Sequence, residues 1–220
     1  MQINVNNINL FYTCTGSGEP LIMLHGNGED HTIFGEAIAI LSKRFTVYAI
    51  DARSHGQSDK VSELHYNDMA EDVRAFIEEL HLEKPVLYGF SDGGIVGLLL
   101  AIKYPNLLSK VIGSGVNVNP DGLVKGWHIL FKMIYFFGRS PMFKLMLKEP
   151  DIQAEELETI TVPVYLTGGS KDMIRQKHMQ WIADCIPGGK LIVLDGEKHG
   201  SYIIHSAKIA EVILEICNKK

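Results

Sequence analysis

The sequence has few cysteines, no long basic run and no uninterrupted apolar stretch of membrane-spanning length. Its three cysteines, Cys14, Cys185 and Cys217, are widely spaced and form no C-x-x-C pair. We therefore expect neither a disulfide scaffold nor a structural zinc site. The net charge of −5 argues against nucleic acid as a partner, because such binding depends on basic side chains that contact phosphates.

The most apolar segment, residues 127–147, is interrupted by lysine, arginine, glycine and proline. It lacks the pattern of a membrane span. Residues 1–7 also lack the charged region and apolar core of a signal peptide. We therefore expect a cytoplasmic protein with no membrane span.

The chain does have the element order of an α/β protein. Hydrophobic residues make up 46% and charged residues 21% of its 220 residues, which fits one globular domain over 1–220. Eight short apolar runs predict strands, at residues 2–5, 8–14, 20–24, 45–50, 85–88, 107–112, 162–166 and 190–194. Helical periodicity lies between most of them, and a closing helix is predicted over 203–216. This order indicates a mostly parallel eight-stranded sheet with helices on both faces.

One segment, residues 117–159, interrupts the alternation because it contains no predicted strand. A helix is predicted there with apolar residues on more than one face, followed by a second helix that begins at Ser140 and Pro141. Such a segment must cover something besides the sheet. We interpret it as a short helical lid over a small-molecule site, the alternative being an extra core layer or a homodimer contact.

The most informative motif is G-x-S-x-G at residues 89–93, between a predicted strand and a predicted helix. A sharp strand-to-helix turn needs small residues two positions either side of the serine, and Gly89 and Gly93 provide them. The turn lifts the Ser91 hydroxyl above the sheet edge, at a helix N-terminus that favours developing negative charge. Ser91 is therefore the predicted nucleophile.

With this motif in its context, residues 18–218 resemble the α/β-hydrolase fold family, in its lipase- and esterase-like branch. The resemblance implies a nucleophile, an acid and a histidine in that order along the chain. His199, in the loop after the last predicted strand, matches the histidine, and a histidine can take the serine proton near neutral pH. Asp172, after the preceding strand, matches the acid that orients the imidazole. Asp195 and, more weakly, Asp151 are rival acids.

The resemblance also implies an oxyanion hole made of two backbone N–H groups. Asp92, directly after the nucleophile, is expected to supply one. Asn27, in a His-Gly loop that begins at His25, is expected to supply the other, with Gly28 as its neighbour. His25 itself is expected to be structural. The loop at residues 51–58 matches the family's D-x-R-G-H-G-x-S pattern except that Ser54 replaces glycine.

The residues around Ser91 are similar to serine hydrolases of the valacyclovir hydrolase type, which act on amino-acid esters. That similarity suggests that the Asp92 carboxylate pairs with a substrate ammonium, the alternative being that Asp92 complements the helix dipole. Predicted substrate contacts are Gly28, Phe90, Trp127 and Phe131.

Together these patterns predict a serine hydrolase, foremost a carboxylesterase acting on small to medium esters through an acyl-enzyme. No metal ligand set and no nucleotide-binding motif is present in the sequence, and the mechanism needs no cofactor. Thioesterase, peptidase, acyltransferase and carbon–carbon hydrolase chemistry, or a non-catalytic ligand receptor, stay open as alternatives, because the fold does not determine the function.

Overall fold

The computed structural model describes residues 1–218 and contains an eight-stranded sheet in the order β1-β2-β4-β3-β5-β6-β7-β8. The pairings β1–β2 and β2–β4 are antiparallel, and all other pairings are parallel. The predicted mostly parallel eight-stranded sheet is confirmed. The strands are β1 (Gln2–Val5), β2 (Ile8–Thr15), β3 (Glu19–Leu24), β4 (Phe45–Ile50), β5 (Val86–Phe90), β6 (Lys110–Ser114), β7 (Val164–Gly169) and β8 (Lys190–Leu194).

Three central strands extend further toward their carboxyl ends than their apolar runs predict. β5, β6 and β7 continue through glycine, serine and threonine to Phe90, Ser114 and Gly169. The apolar-run criterion ends too early because glycine, serine or threonine follows each apolar run, and these residues are nevertheless buried in the sheet. Small residues at this edge leave room for the loops that carry the predicted site.

The helices are α1 (Gly35–Leu41), α2 (Tyr66–Glu79), α3 (Asp92–Lys103), α4 (Lys125–Gly138), α5 (Pro141–Lys148), α6 (Ala154–Leu157), α7 (Gln176–Cys185) and α8 (Lys208–Asn218). α8 corrects the prediction of a closing helix over 203–216. His205 has a φ of 49°, in the left-handed region, so a helix cannot run through it. Ile203 is buried in the core from a turn, which imitates helical periodicity in the sequence.

Helices cover both faces of the sheet, as predicted. α1 and α8 pack together over one face, where Leu41 and Ile213 are fully buried. α2, α3, α6 and α7 cover the other face, and α3 is central to it.

The segment 117–159 joins β6 to β7 and consists of a short 3-10 turn, α4, α5 and α6. It contains no strand, as predicted. α5 begins at Pro141 as predicted, but Ser140 makes no side-chain capping hydrogen bond. α4 and α5 pack on each other, and Phe131 is the buried residue of α4.

Within residues 1–218, none of the helices combines the length and the apolar character that crossing a lipid bilayer requires.

Candidate active site

Ser91 sits on a strained turn between β5 and α3. Its φ of 50° lies in the left-handed region that non-glycine residues rarely adopt. A Cβ on Gly89 would lie 2.2 Å from the Gly93 backbone, and a Cβ on Gly93 would lie 2.3 Å from the Leu24 carbonyl oxygen. Both glycines are therefore required by close backbone packing, and the turn holds Ser91 at the N-terminus of α3.

A chain of hydrogen bonds joins Ser91, His199 and Asp172. His199 Nε2 lies 3.2 Å from Ser91 Oγ, and His199 Nδ1 lies 2.7 Å from Asp172 Oδ1. The Asp172 side chain is 1% exposed and also accepts the Ile174 N–H at 2.9 Å. Because an ionised carboxylate only accepts, Nδ1 carries the imidazole proton and Nε2 is free to accept one from the serine hydroxyl.

The two rival acids lie elsewhere. Asp195 accepts a hydrogen bond from the Ser170 hydroxyl at 3.1 Å, and Asp151 accepts one from the Gln153 side chain at 2.7 Å. Among residues 1–218, Asp172 is the carboxylate within hydrogen-bonding distance of His199. Gly115 makes this approach feasible, since a Cβ there would lie 2.6 Å from His199 Cε1.

A buried row of hydroxyl groups crosses β5, β6 and β7 and ends in the turn that contains Tyr202. Tyr88 donates to Ser114 Oγ at 3.0 Å, Ser114 Oγ lies 2.6 Å from Thr167 Oγ1, and Thr167 Oγ1 lies 3.2 Å from Tyr202 Oη. The Ser114 carbonyl also accepts the Ser91 N–H at 2.8 Å. The row therefore joins β5, β6 and β7 to the turn that follows His199.

The predicted oxyanion loop passes beside the nucleophile. A Cβ on Gly26 would lie 3.2 Å from Ser91 Cβ. The Asn27 N–H has no acceptor among the described residues. The Asp92 N–H has no intrahelical acceptor, because Asp92 begins α3. Both predicted donors thus lie close to Ser91, and neither N–H is bonded to an acceptor within residues 1–218.

Asp92 ties this loop to α3. Its carboxylate accepts the Asn27 side-chain amide at 2.9 Å and the Tyr66 hydroxyl at 2.8 Å. Burial raises the pKa of Asp92, while its two donors oppose the rise. The carboxylate therefore holds Asn27 in place, a role that neither of the two sequence interpretations included. Tyr66 had no signal in the sequence, because it reaches the site from α2.

Glu29 is an acidic group near Ser91 that sequence reasoning missed. It accepts the Gly26 N–H at 3.1 Å. A Cβ added to Gly26 would lie 2.9 Å from Glu29 Oε2. Burial raises the pKa of Glu29 to about 7. The signal for it was local: an acidic residue three positions after a tight-turn glycine can fold back onto that glycine's N–H.

His25 connects the oxyanion loop to the loop at 51–58. Its Nδ1 donates to the Gly26 carbonyl at 2.7 Å, and its Nε2 accepts the Ala52 N–H at 3.0 Å. Burial lowers the pKa of His25 to about 4, so the ring is neutral and can accept. Ser54, which stands where the family pattern has glycine, adopts a φ of 65° that glycine favours, and its hydroxyl accepts the Val61 N–H at 2.9 Å.

A small cavity of about 20 Å³ opens at Ser91. Its walls include Ser91, Asp92, Tyr66, Phe131, Met146 and Met173. Of the predicted substrate contacts, Phe131 lines this cavity, and Trp127 lines an adjoining groove that contains His199.

The other two predicted contacts lie outside this cavity. Phe90 is 2% exposed and packs its ring 4.9 Å from the His199 ring, so it supports the imidazole. Gly28 is exposed, with a φ of 76°, in the turn after Asn27.

One group of residues resembles a metal ligand set that the sequence did not indicate. Asp30, His31 and Asp51 each place one ligand-type atom within 4.8 Å of the others. However, Asp51 Oδ1 already accepts the His31 N–H at 2.8 Å and contacts His31 Nδ1 at 2.7 Å, while Oδ2 accepts the Gln57 N–H at 2.9 Å. Both carboxylate oxygens of Asp51 are thus already bonded within the protein, and the group stabilises the loop at 51–58.

Comparisons with known proteins identify the family of this chain. Residues 19–137 match the model of the alpha/beta hydrolase fold family, which is more than half of the chain. The chain belongs to the α/β-hydrolase fold family. An esterase from Thermogutta terrifontis has the same fold, with a TM-score of 0.81 at 20% identity over 100% of this chain and 98% of that chain.

Among curated relatives, the human protein named serine hydrolase BPHL is 27% identical over 92% of this chain and 80% of its own length. An uncharacterized protein of Mycobacterium tuberculosis is 32% identical over 56% of this chain and 35% of its own length. The match thus spans only about a third of the mycobacterial relatives.

Proposed function

We propose that this chain is a serine hydrolase that cleaves small to medium carboxylic esters through an acyl-enzyme. The observation that carries the proposal is the hydrogen-bonded chain from Ser91 through His199 to Asp172 at the mouth of a cavity. The human relative is named as a serine hydrolase, and this supports the reaction class.

In the proposed acylation step, Ser91 Oγ attacks the ester carbonyl carbon while His199 Nε2 takes the hydroxyl proton. Asp172 holds the imidazole and stabilises the imidazolium. The carbonyl oxygen becomes negative and accepts the N–H groups of Asn27 and Asp92. The carbon–oxygen bond to the alcohol then breaks, and the alcohol leaves with the proton from His199.

Deacylation repeats the sequence with water as the nucleophile. His199 takes a proton from water, the hydroxide attacks the acyl carbon, and the proton returns to Ser91 Oγ as the acid is released. Each proton that His199 accepts is passed on, so the site returns to its starting state without a cofactor.

We also propose that the segment 117–159 acts as the lid of this site. Leu123, Phe131 and Met146, all from this segment, form part of the wall of the cavity that contains Ser91. An apolar wall of this kind suits the acyl or alcohol chain of an ester.

The test is hydrolysis of p-nitrophenyl esters from acetate to octanoate by the wild type and by Ser91→Ala. Turnover that is lost in the variant supports the acyl-enzyme route. The acyl chain length that gives the highest kcat/KM measures the size of acyl group that the cavity accepts. Turnover that persists in Ser91→Ala would assign the chemistry to another nucleophile. No turnover by folded wild type on any ester would favour the receptor function or a specialised acyl substrate.

A second comparison tests how Asp92 acts. If the carboxylate mainly holds Asn27, Asp92→Asn lowers kcat/KM equally for esters with and without an α-amino group. If it pairs with a substrate ammonium, the loss is confined to the amino ester. Circular dichroism of the variant checks that α3 and the sheet are retained.

A further inference from the structure

α4 (Lys125–Gly138) exposes most of its apolar side chains to solvent. Phe137 is 81% exposed, Phe136 66% and Ile129 60%, and the other exposed members are Trp127, Leu130, Met133 and Ile134. A folded chain that leaves this many large apolar groups in water on one short helix has an interaction surface there. We call these seven residues the α4 apolar face.

The α4 apolar face forms one uninterrupted side of the helix. At 100° per residue its seven members occupy about half of the circumference, from Phe136 to Trp127. Phe131, on the remaining half, is buried against the molecule. Lys125 and Lys132 project along the border beside Phe136, and Arg139 follows at the C-terminus of the helix.

α4 and α5, with the residues that join them, carry charge of one sign only. Residues 122–148 contain five basic side chains and no acidic one, in a chain whose net charge is −5. Lys144 pairs with Glu63, but Lys125, Lys132 and Arg139 have no ion-pair partner among residues 1–218. An apolar face bordered by unpaired cations is the pattern of a helix that lies in the interface of an anionic lipid surface.

The face also borders the entrance of the candidate active site. Trp127, one of its members, lines the groove that contains His199, together with Ile204, Lys171 and Lys198. The apolar and basic character of α4 therefore continues to the imidazole. A surface that receives α4 would lie next to the opening of the site.

We propose that the α4 apolar face docks on an anionic lipid surface, with its basic residues at the headgroups. A second copy of this chain is the less favourable occupant, because both copies would bring the same unpaired cations to one contact with no acidic partner in the face. Docking does not depend on the proposed ester hydrolysis, and it is measured on Ser91→Ala protein.

The experiment is co-sedimentation of this protein with phosphatidylcholine vesicles that either contain or lack phosphatidylglycerol. We expect binding only to the anionic vesicles, and weaker binding at higher salt. Phe136→Ser combined with Phe137→Ser should weaken it at least tenfold, since each buried aromatic contributes about tenfold. Lys132→Glu combined with Arg139→Glu should also weaken it at least tenfold, since each cation at the headgroups contributes about fivefold.

Matched controls change exposed residues elsewhere. Val193→Ser on β8 and Lys60→Glu should leave binding unchanged. Trp181→Phe leaves Trp127 as the single indole, and its emission should shift to shorter wavelength with anionic vesicles only.

Three results would overturn the proposal. The first is no binding to anionic vesicles, or binding that both double variants leave unchanged. The second is equal binding to neutral vesicles. The third is a dimer in light scattering that Phe136→Ser with Phe137→Ser dissociates, without vesicle binding, which would assign the face to a second copy. Loss of esterase activity alone would bear on the proposed function and not on docking.

Discussion

Two apolar helices, α3 and α4, have opposite surroundings. Ten of the twelve residues of α3 are buried, whereas one of the fourteen residues of α4 is buried. α3 lies against β3, β5 and β6, and α4 packs mainly on α5. Apolar composition therefore predicts that a helix forms, but the neighbouring sheet decides whether its apolar side chains are covered by this chain or left for something else.

Polar groups differ between the two regions in the same way. Around the start of α3, Ser91 and Asp92 are held by hydrogen bonds to His199, Tyr66 and Asn27. In α4 the only buried side chain is Phe131, which packs in a small cluster separate from the main core. One region is thus positioned by many independent contacts and the other by few, and four substitutions test that difference.

Asp172→Asn should have the largest effect. We expect kcat/KM for a p-nitrophenyl ester to fall about 10⁴-fold, because the neutral amide no longer stabilises the imidazolium and can hold the wrong tautomer of His199. Steady-state kinetics measure the loss. Asp195→Asn, the matched control, should change kcat/KM less than about twofold. Equal losses at both positions would mean that Asp172 is not the acid.

Gly93→Ala should be the most destabilising single change in the α3 region. The new methyl would meet the Leu24 carbonyl at 2.3 Å, so we expect a cost of about 3 kcal/mol or more in the free energy of unfolding. Urea denaturation measures it. The new methyl of Gly126→Ala in α4 meets no atom within 4 Å. Because alanine favours the helix over glycine, this change should instead raise the free energy of unfolding by about 0.5–1 kcal/mol. Similar values for the two glycines would break the contrast between the helices.

Phe131→Ala separates the packed side of α4 from its exposed side. Phe131 is 8% exposed and packs on Phe143 and Trp127, so we expect a cost of about 3 kcal/mol, the low end for phenylalanine, because the cluster is small. Phe137→Ala should change stability by less than about 0.5 kcal/mol. Thermal denaturation compares the two. An equal loss at Phe137 would show that the apolar face is covered within the same chain.

Glu29→Gln should give a smaller effect that depends on pH. Burial raises the pKa of Glu29 from 4.5 to about 7, so the folded protein keeps a proton that the unfolded chain releases in that interval. The contribution of Glu29 therefore lowers the free energy of unfolding of the wild type as pH rises from about 4.5 to 7. Above pH 7 the loss of stability stays constant.

Glutamine stays neutral and can still accept the Gly26 N–H. We subtract the free energy of unfolding of the wild type from that of Glu29→Gln at each pH. After a discount for partial exposure, we expect this difference to be about 1–2 kcal/mol larger at pH 8 than at pH 4. Urea denaturation across that interval is the measurement, and Glu36→Gln, at an exposed position of α1, is the control. If the wild-type and Glu29→Gln profiles run parallel, Glu29 does not titrate in this interval.

The sequence was most informative where chemistry restricts the choice of residue. Gly89 and Gly93 identify the turn because only glycine fits there, and the order of Ser91, Asp172 and His199 follows the order of the strands. The bounds of β1, β4 and β8 also matched, because their apolar runs end at turn residues or charges.

The remainder depends on contacts between distant positions. Tyr66 reaches Asp92 from 26 residues away, and nothing in the local pattern around either residue indicates the bond. The start of α8 was mispredicted because a buried turn at Ile203 has the same apolar spacing as a helix. The exposure of α4 was equally hidden, since apolar periodicity does not say which partner covers it.

The row of hydroxyl groups from Tyr88 to Tyr202 has a consequence for how this fold can change over evolution. It joins β6 and β7, the two strands between which the segment 117–159 is inserted. Because these strands are tied to each other below the insertion point, the segment can be lengthened, shortened or exchanged while the loops of Ser91, Asp172 and His199 keep their spacing. The three residues proposed to act together can thus be combined with different covers, so the substrate can diverge while the proposed reaction stays constant.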